Sequence, residues 1–354
     1  MPAYKDEVTK KWYVQFWFTD FNNIKKKKKK RGFETKKEAL EWEREFQFQE
    51  NGKIGDLTFQ MIYNIYIENM ASRLKVSTLT NKKKTFKTHI LPYFKNNNIE
   101  EINAMHIRKW QNTILEHKFT KSYFQTLQKE LNAIFNFAYK YYDLKENPVG
   151  KAGIINDSPL FTSSKENNIW NEKEFSIFIN EIQHKEAKVI FYILFYTGMR
   201  IGEVLALNRN DIDYENLTIN VTKSYSKINR IEYITAPKTK GSIRKIIVPK
   251  KIAYFIKEYN DSHYLNDTDK MFYISRNRLH VIKNKITREK NLKHLRIHDF
   301  RHSHASILIS NGINIVQVSK RLGHESIKMT LDTYTHLIEE NNEKLVDLLD
   351  DLIE

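Results

Sequence analysis

Five short strings in the second half of the chain carry residue types that could act together on a phosphate. In chain order they are TGMRIGEVLAL, KTKGSIRKIIVP, IHDFRHSHAS, RLGHES and MTLDTYTHL. Guanidinium and ammonium groups can hold a phosphodiester, imidazoles can donate or move protons, and a phenol can attack phosphorus. Such a set suffices for phosphoryl transfer without a metal. The candidate catalytic residues are Arg200, Lys240, His298, Arg301, His324 and Tyr334.

The order of these strings resembles that of the tyrosine recombinases, the integrases of phages and conjugative elements. The family is marked by an Arg in T-G-x-R-x-x-E, a β-hairpin Lys, an H-x-x-R pair, an L-G-H string and a Tyr shortly beyond it. Here Tyr334 follows His324 by ten residues. Each string alone occurs by chance in many proteins, but all of them occur here in order. The resemblance covers nearly the whole chain and is closest in type to integrases of Gram-positive mobile elements with an arm-binding N-terminal domain.

The resemblance implies a role for each candidate. Tyr334 would attack the scissile phosphate and leave a 3′-phosphotyrosine and a free 5′-hydroxyl. Arg200 and Arg301 would bind the non-bridging oxygens, because a planar guanidinium donates two parallel hydrogen bonds and stays charged. His324 would donate to the same phosphate, and His298 would handle protons near the nucleophile or support the grip on the phosphate.

Roles are also predicted for Lys240 and Glu203. Lys240 is predicted to be the general acid that protonates the departing 5′-oxygen. Lys238 stands two positions earlier, on the same face if the segment is a strand, so the choice between them stays open and Lys240 is favoured. Glu203, one turn after Arg200, is predicted to support that arginine rather than to react.

Three alternatives use the same residues. His298 and His302 share a helix face, which would suit a His-rich metal site, but no nearby carboxylate or thiolate set completes it. We therefore predict no metal and no cofactor. HASILISNGINIVQVSKRLGH could instead be the helix-turn-helix of a non-catalytic regulator, although a regulator has no use for Tyr334. Type IB topoisomerases share the chemistry, but the N-terminal and C-terminal segments favour recombination.

Composition indicates the partner. The 354 residues carry a formal net charge of +16 with a pI near 9.5, which implies a polyanion, either nucleic acid or an anionic membrane surface. The longest apolar run, VIFYILFY, is far shorter than the roughly 20 residues of a membrane span, and no secretory signal is visible. There are no cysteines, as in a reducing cytoplasm.

The resemblance completes the expected setting. It implies double-stranded DNA with core and arm attachment sites, a homo-tetramer on that DNA, and an excisionase and a host DNA-bending protein as further partners. No membrane partner is expected, and the location would be the bacterial cytoplasm at the nucleoid.

The sequence predicts a multidomain α+β protein with boundaries at 1–55, 56–152 and 168–354. The first domain would hold three strands and a helix that begins with a Thr35/Glu38 capping box, and would bind arm-type DNA. A disordered lysine tail is the alternative, against which the aromatic alternation in WYVQFWF argues. The predicted DNA-binding residues there are Lys25, Lys26, Lys27, Lys28, Lys29 and Lys30.

The second domain is predicted to be all-helical and SAM-like, since apolar residues recur at helical spacing. Leu57 to Lys151 holds 15 Lys or Arg against 7 Asp or Glu, and Lys82, Lys83 and Lys84 are predicted to contact core DNA. A plain solvated helical bundle is the alternative.

The catalytic domain is predicted to be mainly helical with a small sheet. Its strands would be NLTINVT, RIEYITA and SIRKIIVP, and its helices would end at Gly198 and Gly312 or begin at Asn314. The final segment, EENNEKLVDLLDDLIE, is acidic with leucines on one face, so it is predicted to bind protein rather than DNA.

Overall fold

The computed structural model divides the chain into two units, Met1–Lys165 and Glu166–Glu354. It describes residues 3–19, 25–51, 57–162, 168–228, 230–237, 240–263 and 266–339. The acidic segment after residue 339 lies outside the described residues, so its predicted amphipathic helix stays a prediction. The division of the first unit into an arm domain and a helical domain, with the proposed boundaries, also stays a prediction.

The chain begins with an antiparallel sheet that packs on one helix. Strand order is β1-β2-β3, with β1 at Tyr4–Lys5, β2 at Trp12–Thr19, β3 at Lys25–Phe33 and α1 at Lys36–Asn51. The predicted capping box is present, because Glu38 N donates to Thr35 Oγ1 (3.1 Å) and Thr35 N donates to Glu38 Oε2 (3.2 Å). Val14 and Phe16 of β2 are buried with Ala39 of α1. The predicted three-stranded sheet with one helix is confirmed.

A bundle of helices follows, as predicted. Its helices are α2 (Phe59–Ala71), α3 (Val76–Thr85), α4 (Leu91–Phe94), α5 (Ala104–Glu116), α6 (Lys121–Tyr141) and α7 (Pro148–Ala152), with a π turn at Phe86–Ile90 and a 3₁₀ turn at Ile99–Glu101. Side chains of Thr58, Asn103 and Thr120 cap α2, α5 and α6 by accepting backbone N–H groups. Trp110, Phe124 and other large apolar residues fill the core between them.

The second unit is mainly helical with short strands. Its helices are α8 (Glu172–Asn180), α9 (Lys185–Thr197), α10 (Ile201–Val204), α11 (Lys250–Asp261), α12 (Arg276–Glu289), α13 (Asp299–Ser310), α14 (Ile315–Leu322) and α15 (Ile327–Glu339). Its strands are β4 (Ile212–Asp213), β5 (Thr218–Val221), β6 (Ser224–Ile228), β7 (Ile231–Thr235) and β8 (Arg244–Ile247). The predicted fold class, a multidomain α+β chain with a mixed, mainly helical C-terminal part, is confirmed. No helix in the described ranges is long and apolar enough to cross a membrane.

Aromatic packing brings the ends of two helices together. Phe175 of α8 stacks on Phe195 of α9 with ring centroids 3.8 Å apart. Phe300 of α13 packs against Phe191 of α9 at 5.4 Å and is fully buried. Because Phe300 is held in this core, the next residue, Arg301, lies beside the C-terminal end of α9.

The strands form two separate sheets, and this corrects one prediction. β5 pairs with β4 and β8, whereas β7 pairs with β6, a strand that the sequence did not indicate. The chain between β7 and β8 therefore passes from one sheet to the other and cannot continue a single strand. Lys240 begins a 3₁₀ turn, Lys240–Ser242, so it does not lie on a strand. Lys238 and the side chain of Lys240 lie outside the described part.

The last three helices pack around a small core of their own. It contains Ala305, Ile309, Val318, Leu322 and Tyr334. Asn314 caps α14 as predicted, because its Oδ1 accepts Val316 N at 2.8 Å. This core holds the candidate nucleophile against α13, which carries Arg301 and begins directly after His298.

We predict that Gly198→Ala destabilises the second unit more than Gly312→Ala does. Both glycines have a left-handed φ, +66° and +79°, which costs an alanine about 1–2 kcal/mol. An added Cβ at Gly198 would lie 2.7 Å from His304 Cδ2, whereas at Gly312 it would meet nothing within 4 Å. The overpacking adds at least about 1 kcal/mol. Urea unfolding of the full chain measures the difference, and equal midpoint shifts would contradict it.

Candidate active site

Arg200 is positioned by the end of a buried helix. α9 stops at Gly198, whose left-handed backbone lets the chain turn sharply, and Arg200 then precedes α10 in an extended conformation. Its side chain is 37% exposed, and its Nη1 donates to Glu203 Oε1 at 3.0 Å. The guanidinium therefore has one side held by protein and another open to solvent.

Glu203 joins two arginines. Only 4% exposed, it accepts hydrogen bonds from Arg200 N (2.9 Å) and from Arg244 Nη2 (2.9 Å) and Nη1 (3.3 Å). Burial alone would raise the pKa of Glu203, but the bonds and charges of Arg244 and Arg200 outweigh it and lower that pKa. Glu203 is thus an ionised carboxylate that holds Arg200 through its backbone N–H and its guanidinium.

Arg301 is a buried cation with an unused donor. It is 3% exposed, and its Nη1 donates to the Gly198 carbonyl at 2.9 Å. Its Nη2 finds no hydrogen-bond partner among the described residues. Burial, with the nearby charges of Arg200 and Arg244, lowers the pKa of Arg301 to about 9, which still leaves it charged at neutral pH. A buried, charged N–H without a partner is costly, and an anion would relieve it.

His298 and His302 lie one turn apart on α13. Their rings meet edge to face, with centroids 5.3 Å apart at 88°. Burial first, and then His302, Arg301 and Arg200, lower the pKa of His298 to about 4. Burial also lowers the pKa of His302. Both rings are therefore neutral at pH 7 in the free protein.

His324 follows the end of α14. Gly323 adopts a left-handed conformation (φ +68°) that ends the helix and turns the chain toward the site. His324 Nδ1 lies 2.7 Å from Thr330 Oγ1, which orients the ring. Burial and the charges of Arg301 and Arg200 lower the pKa of His324 to about 4.

Tyr334 lies on α15 and is only 3% exposed. Its Oη lies 2.8 Å from His302 Nδ1. Burial raises the pKa of Tyr334 although the charge of Arg301 lowers it, so the phenol is protonated at neutral pH. The hydroxyl must lose its proton before or during any attack on phosphorus.

Five of the six predicted site residues thus come together. Electrostatic interactions link Arg200 and Arg301 with His298, with His324 and, for Arg301, with Tyr334. The sixth, Lys240, can be placed only by its backbone. Gly241, next to it, has its carbonyl 3.1 Å from where a Cβ on Gly323 would lie, so the 3₁₀ turn lies against the turn before His324.

Two residues that the sequence analysis did not single out complete the site. Arg244, with a side chain 7% exposed, donates from Nε to the Arg321 carbonyl at 2.7 Å as well as to Glu203. It therefore connects α10 to the end of α14. His302 was considered only as a metal ligand, yet it contacts the candidate nucleophile. In the described ranges no group of three or more His, Cys, Asp or Glu side chains is arranged to hold a metal.

The predicted DNA-binding lysines of β3 divide between two faces of the sheet. Cross-strand pairing sets Lys27 opposite Trp17 and Lys29 opposite Gln15, while Lys28 lies opposite the buried Phe16. Directly paired residues share a face, so Lys25, Lys27 and Lys29 lie on the outer face and Lys26, Lys28 and Lys30 on the face of α1. Trp17 is 63% exposed on the outer face.

The lysines of α3 also differ from one another. Lys82 pairs with Glu130 and donates to Tyr66 Oη, and its side chain is only 11% exposed. Lys83 and Lys84 are exposed. The charge of Lys82 is therefore used inside the helical bundle, and the other two are the ones open to a partner.

Family models match three consecutive parts of the chain. The phage integrase family matches residues 171–341, its N-terminal SAM-like domain matches 58–115, and an arm DNA-binding domain matches 2–49. The ICEBs1 integrase of Bacillus subtilis (strain 168) is 31% identical over 339 residues, which span 90% of this chain and 91% of the relative. This chain belongs to the phage integrase family of tyrosine recombinases. It is a site-specific recombinase of the type found in mobile elements.

Other relatives agree with this membership. The integrase of Staphylococcus phage L54a is 24% identical over 86% of the recombinase and 95% of its own length. In fold, the recombinase resembles the Tn1549 transposon integrase, solved in complex with a circular intermediate DNA, with a TM-score of 0.68 at 19% identity over 82% of this chain and all of the other. A lambda integrase dimer bound to a COC′ core site gives a TM-score of 0.60 at 14% identity, covering 94% of each chain.

We predict that Arg244→Lys slows strand cleavage about 10- to 100-fold, the usual effect of removing a supporting interaction. A lysine has one ammonium group and cannot donate to both Glu203 and the Arg321 carbonyl as the guanidinium does. The link between Glu203, which holds Arg200, and the end of α14, which precedes His324, is then lost. Single-turnover formation of covalent protein–DNA adduct measures the effect. Lys245→Arg, at the exposed neighbouring position, is the matched control and should stay near wild type. Equal rates for the two variants would contradict the role of Arg244.

Proposed function

We propose that this recombinase integrates and excises a mobile element by cutting and rejoining DNA strands through a covalent link between Tyr334 and a 3′-phosphate. The observation that carries the proposal is the buried Nη2 of Arg301, which has no hydrogen-bond partner among the described residues. The charge of Arg301 also interacts with Arg200, Arg244 and Tyr334. A phosphodiester supplies the anion that this donor lacks. The names of the relatives, integrases of a conjugative element and of a phage, support the class of substrate.

In this proposal each residue has one task. Arg200 and Arg301 bind the two non-bridging oxygens, and His324 donates a further hydrogen bond. Tyr334 Oη attacks phosphorus, so the P–Oη bond forms as the P–O5′ bond breaks. Lys240 gives a proton to the departing 5′-oxygen. Because one phosphodiester replaces another, bond energy is conserved and rejoining needs no nucleotide cofactor.

His298 belongs to the grip on the phosphate in this scheme. It immediately precedes α13, one turn before His302 and three residues before Arg301. A phosphate in the site would favour the charged forms of His298 and His324, because an opposite charge raises the pKa of an imidazole. Both rings are therefore neutral in the free site. They can become protonated and donate stronger hydrogen bonds when the substrate binds.

Two surfaces of the first unit are proposed to bind DNA. The outer sheet face, with Lys25, Lys27, Lys29 and Trp17, would lie in a groove of arm DNA. Lys83 and Lys84 of the helical bundle would contact the backbone near the crossover point. Each protomer would then hold two DNA sites.

We also propose a homo-tetramer on DNA, assisted by an excisionase and a host DNA-bending protein. The acidic, leucine-faced segment after residue 339 would join protomers, since its charge opposes binding to DNA. The place of action would be the nucleoid in the bacterial cytoplasm. A type IB topoisomerase would use the same chemistry, but the matches to the arm-binding domain and to integrases along nine-tenths of the chain favour recombination.

Replacing the nucleophile should separate cleavage from binding. On a nicked duplex that carries the element's junction, Tyr334→Phe should form no covalent adduct while keeping its Kd for DNA. Arg301→Ala should slow adduct formation about 10²- to 10³-fold, as loss of preorganised charge does. Excess EDTA should leave the wild-type rate unchanged. Adduct formed by the Tyr334→Phe protein would mean that another residue attacks.

Charge on the two sheet faces should have different effects on arm binding. The Lys27→Gln/Lys29→Gln protein should bind arm DNA more weakly, and its log–log salt dependence should flatten by about 0.9 for each phosphate that the protein no longer neutralises. The Lys26→Gln/Lys30→Gln protein removes the same charge from the other face and is the control. Both should cleave a short core duplex at the wild-type rate. Equal weakening in the two proteins would show that the outer face does not select the DNA.

A further inference from the structure

The hydroxyl of Tyr334 meets His302, not His298. His302 Nδ1 lies 2.8 Å from Tyr334 Oη, and the two ring centroids are 6.0 Å apart at 50°. His298 contacts the His302 ring edge to face. His298, the histidine of the H-x-x-R pair, therefore contacts His302, and His302 is the residue that contacts the candidate nucleophile.

The ring of His302 can accept this proton. The charged and titratable groups around it are Asp299, His298 and Arg301 on its own helix, Arg296 before that helix, Tyr334 from α15 and His324 after α14. Burial and the arginines outweigh the attraction of Asp299, so the pKa of His302 lies below its ordinary value and the ring is neutral at pH 7. In the tautomer that carries its proton on Nε2, His302 Nδ1 accepts the hydrogen bond from the Tyr334 O–H.

On the basis of the proposed function, in which Tyr334 is the nucleophile, we propose that His302 is its general base. During cleavage the phenolic proton passes to His302 Nδ1 as Oη bonds to phosphorus and the P–O5′ bond breaks. During rejoining the 5′-hydroxyl attacks and gives its proton back to Lys240, the P–Oη bond breaks as the P–O5′ bond forms, and His302 returns its proton to Tyr334. No proton leaves the site through this residue over a full cycle.

The position of His302 suits both directions of the reaction. It is part-buried on α13, one residue after Arg301, so the proposed base and the phosphate-binding guanidinium lie on the same helix. General-base assistance of this kind contributes about 10²- to 10⁴-fold.

The test compares His302→Asn with His298→Asn and His302→Ala in the full chain. Asparagine places an amide where Nδ1 stood, so it keeps a hydrogen bond to Tyr334 but cannot take up the proton. His302→Asn should lower single-turnover adduct formation at least about 100-fold, with unchanged Kd for a core duplex. Rejoining from preformed adduct should slow by a similar factor. His298→Asn should lower cleavage less than His302→Asn.

Two further measurements separate a base from a structural contact. Imidazole should restore cleavage by His302→Ala, and the rescued rate should follow the unprotonated imidazole as pH rises. The wild-type rate should rise with pH as His302 loses its proton below its ordinary pKa and then level off, and His302→Asn should lack that rise.

The results that would overturn His302 as the base differ from those that would overturn the proposed function. Adduct formed by Tyr334→Phe would overturn the proposed nucleophile, whatever His302 does. With Tyr334→Phe inactive, near wild-type cleavage by His302→Asn would overturn His302 as the base. A faster rate in His302→Asn would mean that the bond holds Tyr334 back, and a larger loss in His298→Asn would move the base to that residue.

Discussion

The candidate active site depends on positive charges gathered around one buried carboxylate, that of Glu203. Arg200 and Arg244 both pair with Glu203, and Arg301 lies close enough to both arginines for their charges to lower its pKa. Buried cations repel one another strongly, so the arrangement persists because Glu203, the Gly198 carbonyl and the Arg321 carbonyl hold the guanidinium groups. In the proposed function, a bound phosphate would supply the negative charge that these cations still lack.

Three of these residues, Arg200, His298 and His324, enter the cluster at the end of a helix. Gly198 ends α9 just before Arg200, Gly323 ends α14 just before His324, and His298 stands at the start of α13. At the end of a helix, the last hydrogen-bonded turn fixes the chain on one side, and the residues beyond it can change direction. Left-handed glycines let the chain change direction within one residue, so three helices can deliver side chains to one point.

Much of the local structure was readable in the sequence. Thr35 with Glu38, Gly198 and Asn314 are capping residues whose effect needs only a few neighbouring residues. The polar strand β6 and the 3₁₀ turn at Lys240 were not readable, because both depend on which strand pairs with which. A sequence pattern shows that a segment is extended but not which sheet receives it.

The sequence by itself determined the family and the candidate residues, since the motif strings keep their order and spacing whatever the fold. Only the tertiary structure decided how those residues are linked. Arg244 reaches Glu203 across 41 positions, and His302 meets Tyr334 across 32. Such distant pairs produce no repeating pattern in the sequence. Their contacts depend on how α13 packs against its neighbours in two cores, the aromatic core around Phe300 and the small core around Tyr334. On β3, the pairing with β2, whose Val14 and Phe16 are buried with α1, sets which lysines face outward.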